Sequence, residues 1–216
     1  GGEILSVSVV SQGSGYSSAP SATFAPPQKA LHVPSLITVA SVSASRGQAS
    51  AGKTIDWSGM SGVQGDETAS QSNSRQHMWA PGNKISWIQW DFGSLKTIGR
   101  MLLWQFNEDG KPNRSIKKAN LEYSVDGADW IDFSVSGNWP KSSGTAGNQT
   151  VLDVNNLNFK ARYVRLKCTK SHGDSQTGVS EVLFWAPKDA DLYASSPSSG
   201  SANAFDDNTS SVWMPL

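Results

Sequence analysis

The chain has 216 residues, with 18 Lys or Arg against 18 Asp or Glu, so its formal net charge is zero. This balance argues against a nucleic-acid binder and against a polybasic membrane surface, because both need a surplus of basic residues. No apolar run approaches the ~20 residues of a membrane-spanning helix. The sequence also contains no H-E-x-x-H, C-x-x-C, G-x-S-x-G or phosphate-cradling glycine loop, which leaves few routes to catalysis.

Residues 1–29 are predicted to form a separate β-hairpin extension. Residues 4–10 alternate between apolar and polar types, a turn cluster follows, and a short strand at 22–25 ends at Pro26-Pro27. One hairpin is too small to be stable alone, so we expect it to be an extension or linker.

Residues 35–187 have the rhythm of an all-β sandwich. Short alternating runs are separated by Gly/Ser-rich breaks, and no segment shows a 3.6-residue stripe, so helix should be minor. The predicted strands are 87–92, 98–106, 119–124, 130–133, 162–168 and 179–185. Two long loops lie between them, at 107–114 and 137–149. Cys168, the single cysteine, lies on the apolar face of its strand and is expected to be a buried, inert thiol.

The tail at 188–216 repeats the start of this domain. Ala204-Phe205-Asp206 precedes Ser211 as Thr54-Ile55-Asp56 precedes Ser61, about one domain length earlier. The repeat ends before its later strands, so we expect 188–216 to be the truncated start of a second copy and the chain to come from a longer, multi-module protein.

Four phrases in order carry a family resemblance: 87–93 (WIQWDFG), 123–130 (YSVDGADW), 161–166 (ARYVRL) and 178–182 (GVSEV). They resemble the discoidin, or coagulation factor 5/8 C-type, domain, which is similar to family 32 carbohydrate-binding modules. The resemblance implies an eight-stranded jelly-roll sandwich, with ligand loops at one end and, in many members, one structural calcium ion. Met78-Trp79 and the phrase 104–107 are similar to modules attached to bacterial polysaccharide-degrading enzymes, although Gln105 departs from the usual Asn.

Calcium prefers six to eight oxygen ligands, often backbone carbonyls with a few carboxylates. The segment 56–61 is a glycine-bearing turn that offers an acid and hydroxyls, and the family places a carboxylate ligand where Glu181 stands. The candidates are therefore Asp56, Ser61 and Glu181, with carbonyls supplying the rest. The alternative is that Asp56 only forms the turn and Glu181 is a solvated acid.

The family's sugar binders use an Arg and an Asn from the region of loop 107–114. A planar guanidinium or an amide can bind two adjacent hydroxyls, and an aromatic face can cover the apolar side of a sugar ring. A merely solvated turn, and core packing of the tryptophans, are the alternatives; Trp139, in a Gly/Ser-rich loop, is expected to be an exposed platform. Trp104 and His172 are further possibilities. The candidate ligand-binding residues are His77, Trp79, Asn107, Glu108, Asn113, Arg114 and Trp139.

Together these features predict a non-catalytic carbohydrate-binding module that targets a larger secreted or cell-surface protein to a polysaccharide or other glycan. Its further partners would be neighbouring modules of the same chain. Two alternatives stay open: a protein-interaction or adhesion module of a cell-surface or phage tail protein, and a fragment of an enzyme whose catalytic domain lies elsewhere.

Overall fold

Eight strands form the framework of residues 35–187, the part of the chain that our computed structural model describes, apart from residues 84 and 136. The predicted hairpin at 1–29 and the predicted second copy at 188–216 lie outside the described residues. The strands are β1 (Ser41–Ala44), β2 (Ser86–Ile98), β3 (Arg100–Gln105), β4 (Ile116–Ser124), β5 (Ile131–Phe133), β6 (Val151–Val154), β7 (Phe159–Ser171) and β8 (Val179–Trp185).

The strands form two antiparallel sheets, with orders β1-β2-β7-β4-β5 and β6-β3-β8. This is the predicted jelly-roll sandwich with its eight strands. The side chains that alternate inward from both sheets, such as Ile88 and Trp90 of β2 and Val182 and Phe184 of β8, form the main core cluster. Cys168 belongs to this cluster, and burial raises the pKa of its thiol to about 12, as expected for an inert cysteine.

In the smaller sheet, β3 and β8 are buried on both faces. Every residue of β8 is buried, and the outward-facing Leu102, Trp104 and Leu183 form a second apolar cluster with Trp185 and Ala69. Trp57 and Met60 cover this cluster from the long connection between β1 and β2. That connection is therefore a third layer, and it hides side chains that alternation would otherwise place in solvent.

Helix is minor, as predicted. The long connection contains α1 (Gln48–Ala51), of four residues, and 3₁₀ turns at Gly52–Thr54 and Arg75–His77; a third 3₁₀ turn is Pro112–Arg114. Within residues 35–187, leaving aside 84 and 136, no helix is long and apolar enough to cross a bilayer.

Three observed strands, β2, β4 and β7, are longer than predicted. β2 continues beyond Gly93 through a bulge to Ile98, because Gly93 takes φ 74° and lets the strand resume pairing with β7 at Lys96. β1 and β6, of four residues each, were not among the predicted strands. Their runs are too short for alternation to distinguish them from loop.

Four connections emerge at one end of the sandwich, which we call the loop end. β2 and β4 begin beside the end of β7, with Ser86 opposite Cys168 and Ile116 opposite Ser171. β3 ends beside the start of β8, where Gln105 pairs with Val179. The registers therefore bring together the connections 45–85, 106–115, 134–150 and 172–178.

Candidate functional site

Asn107 joins three of the four connections at the loop end. Its Nδ2 donates to the carbonyl oxygens of Ser72 at 3.0 Å and Thr145 at 2.7 Å, and its Oδ1 accepts from the Gly144 N–H at 2.8 Å. The side chain is fully buried. All of these bonds are internal, so the expectation that Asn107 contacts ligand is wrong: its amide holds the loops in place.

The tryptophans predicted as ligand platforms are buried. Trp79 and Trp104 have no exposed surface and Trp139 only 2%. Trp79 pairs through its backbone with Val179 and donates Nε1–H to the Arg46 carbonyl at 3.0 Å. Trp104 lies under Trp57, with ring centroids 5.6 Å apart and planes at 87°.

Trp139 is the clearest correction, since a Gly/Ser-rich loop favoured an exposed ring. Its indole belongs to the main core cluster. Its backbone N–H donates to the Lys117 carbonyl at 3.1 Å, and its own carbonyl lies 2.9 Å from His172 Nε2. Burial comes first among the causes that lower the pKa of His172. The loop folds back over the open end of the sandwich, and Trp139 closes the core there.

Arg114 lies at the end of the 3₁₀ turn Pro112–Arg114, between two carboxylates. Its Nη1 is 2.7 Å from Glu108 Oε2, and its Nε is 3.3 Å from Asp174 Oδ2. Only 12% of the side chain is exposed. Burial alone would raise the pKa of Asp174, but the Gln176 N–H and the Arg114 charge outweigh it and lower that pKa. The Arg114–Asp174 pair thus links the β3–β4 and β7–β8 connections, whereas Glu108 pairs with Arg114 within the β3–β4 connection. Asp174 is a partner that the sequence did not indicate.

Two predicted residues do reach the surface of the loop end. Asn113 is exposed and lies beside Gly173. A Cβ atom added at Gly173 would be 3.8 Å from the Asn113 amide. His77 is half-buried, and its Nε2 lies 3.0 Å from the amide nitrogen of Gln76. Both could contact a ligand without leaving their present positions.

The loop end also contains an open groove of about 640 Å³. It is lined by small or apolar residues, namely Gly47, Ser50, Met78 and Ala80, and by the longer polar side chains of Lys53, Arg75 and Gln76. Half of the Arg75 side chain is exposed, and its nearest carboxylate oxygen, Glu108 Oε2, is 3.9 Å away. Arg75 and Gln76, from the 3₁₀ turn Arg75–His77, are exposed polar groups of this groove.

The sequence analysis missed these groove residues. A detectable signal exists: Arg75 and Gln76 interrupt a Ser/Asn-rich stretch immediately before the buried pair Met78-Trp79. Polar side chains held next to a fixed apolar anchor are well placed to form the edge of a site.

Glu181 is fully buried on the outward side of β8, opposite Trp104. Its Oε2 accepts from the Trp57 N–H at 2.9 Å, whereas Oε1 has no hydrogen-bond partner. Burial raises the pKa of Glu181 to about 9, and the nearby Asp56 carboxylate adds to the shift. The alternative of a solvated acid is therefore wrong for Glu181.

The other candidate calcium ligands lie in the loop above Glu181. Asp56 Oδ2 is 2.9 Å from Lys53 Nζ, and its Oδ1 accepts from the Ser58 N–H at 2.9 Å. Ser61 Oγ accepts from the Ser70 N–H at 2.8 Å. Ser58 Oγ is buried without a partner, like Glu181 Oε1. Two unpartnered buried oxygens beside a second carboxylate match the oxygen-rich surroundings that calcium prefers. No group of three His, Cys, Asp or Glu side chains is arranged for a metal among the described residues, so carbonyl and hydroxyl oxygens would have to complete such a site.

Comparison with known proteins gives the family. The profile of the F5/8 type C domain matches residues 38–182. No curated protein matches the chain significantly. Among solved structures, the family 32 carbohydrate-binding module of Clostridium perfringens NanJ in complex with galactose has a TM-score of 0.50 and 13% identity, covering 71% of this chain and 99% of that one.

A second similar structure is truncated AlyQ with its family 32 module and alginate lyase domains. It has a TM-score of 0.51 and 17% identity, covering 72% of this chain and 34% of that one. At such identities the likeness shows the fold alone. The profile match spans more than half of the chain and the same strands that the structure places in the sandwich, so this chain belongs to the F5/8 type C, or discoidin, domain family.

Proposed function

We propose that this domain is a non-catalytic carbohydrate-binding module that uses the groove at the loop end. The observation that carries the proposal is the combination of a rigid end and an open groove. Asn107 and Arg114 fasten the connections to each other, while Arg75 and Gln76 remain exposed on the groove. A guanidinium and an amide can each bind two neighbouring sugar hydroxyls.

The related structures support a saccharide as ligand. The NanJ module, of the same fold, was solved with galactose. In this chain the lining of Gly47, Ser50, Ala80 and Met78 would let the flat side of a sugar ring approach closely. A shallow site of this kind should bind with a dissociation constant of roughly micromolar to millimolar.

The wider role follows from the weakness of such a site. We propose that the module holds a larger secreted or cell-surface protein on a polysaccharide, and that a second copy beginning at 188–216 raises the effective concentration at the surface. The catalytic or adhesive activity would then belong to other parts of that protein.

We also propose that a calcium ion stabilises the module. Glu181 and Asp56, with hydroxyl or carbonyl oxygens of 56–61, would hold it. When bound, it would supply positive charge beside a buried carboxylate and fasten the 56–61 loop to β8. Its role would be structural, since the ligand groove is lined by other residues.

Binding to a glycan array, followed by pull-down on the polysaccharides it identifies, tests the proposed function. Gln76→Ala should weaken binding several-fold, because it removes a groove amide. The matched control is Gln64→Ala, an exposed amide in the same connection that is not part of the groove lining. A chain that retains no glycan from plant, algal or animal sources would refute the proposal.

One observation favours a protein-interaction module instead. Ile85, next to the start of β2 at the loop end, is 71% exposed. An exposed apolar side chain among loops can dock on a protein surface. If glycans fail to bind while Ile85→Ser abolishes attachment to a cell surface, this second function would replace the first.

A further inference from the structure

The charges of the groove point to a narrower class of ligand. Its lining contains two cationic side chains, Lys53 and Arg75, and no acidic one. A neutral sugar gains hydrogen bonds from such side chains but no ionic attraction. An anionic group would gain from both positive charges.

The two cations differ in how far they are neutralised. Lys53 Nζ is 2.9 Å from Asp56, whereas Arg75 Nη1 is 3.9 Å from Glu108 Oε2. The same Glu108 oxygen accepts from Arg114 at 2.7 Å, so Glu108 is already paired. Arg75 donates no side-chain hydrogen bond to another residue of the described region. Its planar fork of donors is therefore available to a ligand.

The shape of the groove suits a charged group on a ring. Ser50, Met78 and Ala80 line the same groove as Arg75, and Met78 is itself buried. Ser50 Oγ lies 3.3 Å from the Ala80 N–H, which holds α1 against the strand-like segment after Trp79. A ring resting on this surface would present a carboxylate or sulfate to the exposed guanidinium, which matches either group through paired hydrogen bonds.

We infer that the groove binds an anionic sugar residue, whose carboxylate or sulfate group is held by Arg75 with Lys53 as a second positive charge. This inference rests on the proposed function and names the ligand class for the same site. Acidic polysaccharides, rich in uronic acids or sulfate esters, are then the targets.

Isothermal titration of the full chain with paired polymers tests the charge directly. One pair is polygalacturonate and its fully methyl-esterified form, and the other is dextran sulfate and dextran. In each pair the backbone is the same and only the negative charge differs. We expect at least tenfold tighter binding to the charged member of one pair, weakening as NaCl is raised, because exposed ion pairs are screened by salt. The pair that responds shows whether the anion is a carboxylate or a sulfate.

Arg75→Gln is the variant that locates the site, and it should reduce the charged-polymer preference by about tenfold, as expected for a charge-assisted contact. Lys160→Gln is the matched control. It removes the same charge from an exposed position at the start of β7, far from the loop end, and should keep the preference. Equal melting temperatures of the two variants would show that both are folded.

The outcomes separate this inference from the function on which it rests. If neutral polymers bind as well as charged ones, the anionic ligand is wrong; if Arg75→Gln keeps the preference, the anion is not held by Arg75 in this groove. In both cases the inference fails and carbohydrate binding stands. If none of these four polymers binds, the inference fails; if the glycan array is blank as well, carbohydrate binding itself fails.

Discussion

The backbone N–H of Trp57 donates to Glu181 Oε2 at 2.9 Å, while the second oxygen of this buried carboxylate has no partner. One residue of the long β1–β2 connection is thereby bonded to β8 of the smaller sheet. Glu181 is thus a carboxylic acid buried away from water. The first two predictions depend on this burial.

The first prediction concerns pH in the absence of calcium. The pKa of Glu181 is raised from 4.5 to about 9, so between these values the folded chain holds a proton that the unfolded chain has released. Stability is then greatest below pH 4.5 for this group and is lost as pH rises toward 9, by at most about 1.4 kcal/mol per pH unit. Urea unfolding in EDTA at a series of pH values measures this slope. Glu181→Gln, which cannot ionise, should remove Glu181's share of it; an unchanged slope would show that Glu181 does not titrate in this window.

The second prediction concerns calcium itself. Added CaCl₂ should raise the melting temperature of the wild-type chain, with a gain of about 2.7 kcal/mol once free calcium reaches a hundred times its dissociation constant. Glu181→Gln should lose this response. Glu67→Gln is the control, because Glu67 is an exposed acid of the same connection that pairs with Arg100 instead. The site would be ruled out if EDTA and CaCl₂ gave the same melting curve.

The third prediction is that Arg114→Ala lowers stability. It leaves Glu108 and Asp174 without their shared cation in a partly buried position, so we expect a loss of about 2 kcal/mol in the free energy of unfolding. Chemical denaturation measures it. Arg162→Ala is the comparison, since Arg162 is more exposed and, among the residues that the structure describes, Asp91 is its one ion-pair partner; its loss should be much smaller. Equal losses from the two variants would contradict the linking role of Arg114.

The fourth prediction concerns Trp139. Trp139→Ala should cost about 3–5 kcal/mol, as for other large core residues, because it opens a cavity in the main cluster. Trp130→Ala removes a half-buried indole from outside that cluster, where it stacks 3.6 Å from the Arg165 guanidinium, and should cost much less. Thermal unfolding distinguishes them, and an undestabilised Trp139→Ala chain would restore the idea of an exposed platform.

The fifth prediction tests how closely the loop end is packed. A Cβ at Gly178 would lie 2.4 Å from Phe106 Cδ2 and 2.5 Å from the Trp79 carbonyl oxygen. Gly178→Ala should therefore force a shift and destabilise by about 1–3 kcal/mol. Gly52→Ala is the control, since a Cβ there meets nothing within 4 Å and φ is –61°. A neutral Gly178→Ala would show that β8 can move away from Trp79.

The strands could be predicted because their signal is local. Alternation placed 179–185 where β8 is found, and 162–168 within β7. The order of the four phrases gave the family. A burial that depends on a distant loop leaves no such trace. Trp104 faces outward on β3 and is buried because residues of the β1–β2 connection, among them Trp57 and Met60, cover it.

The site was harder to predict for the same reason. Asn107 and Arg114 have side chains that can hydrogen-bond to sugar hydroxyls. Nothing in the sequence shows that they donate instead to Thr145 and Asp174. Arg75 and Gln76 are marked in the sequence only by their position before Met78-Trp79, and we propose them as ligand contacts because they are exposed in the structure. Which loop side chains are free to contact a ligand depends on hydrogen bonds between residues 30 or more positions apart. A single sequence does not show which residues form these bonds.

The connection between β1 and β2 covers Trp104 with its inward side chains. It also contains Lys53, Arg75 and Gln76, which line the groove. Its inward residues are as constrained as those of a central strand, while its groove side chains are free to change. Evolution could therefore retune what this module recognises by exchanging a few outward side chains, and an engineer could do the same without touching the sandwich beneath.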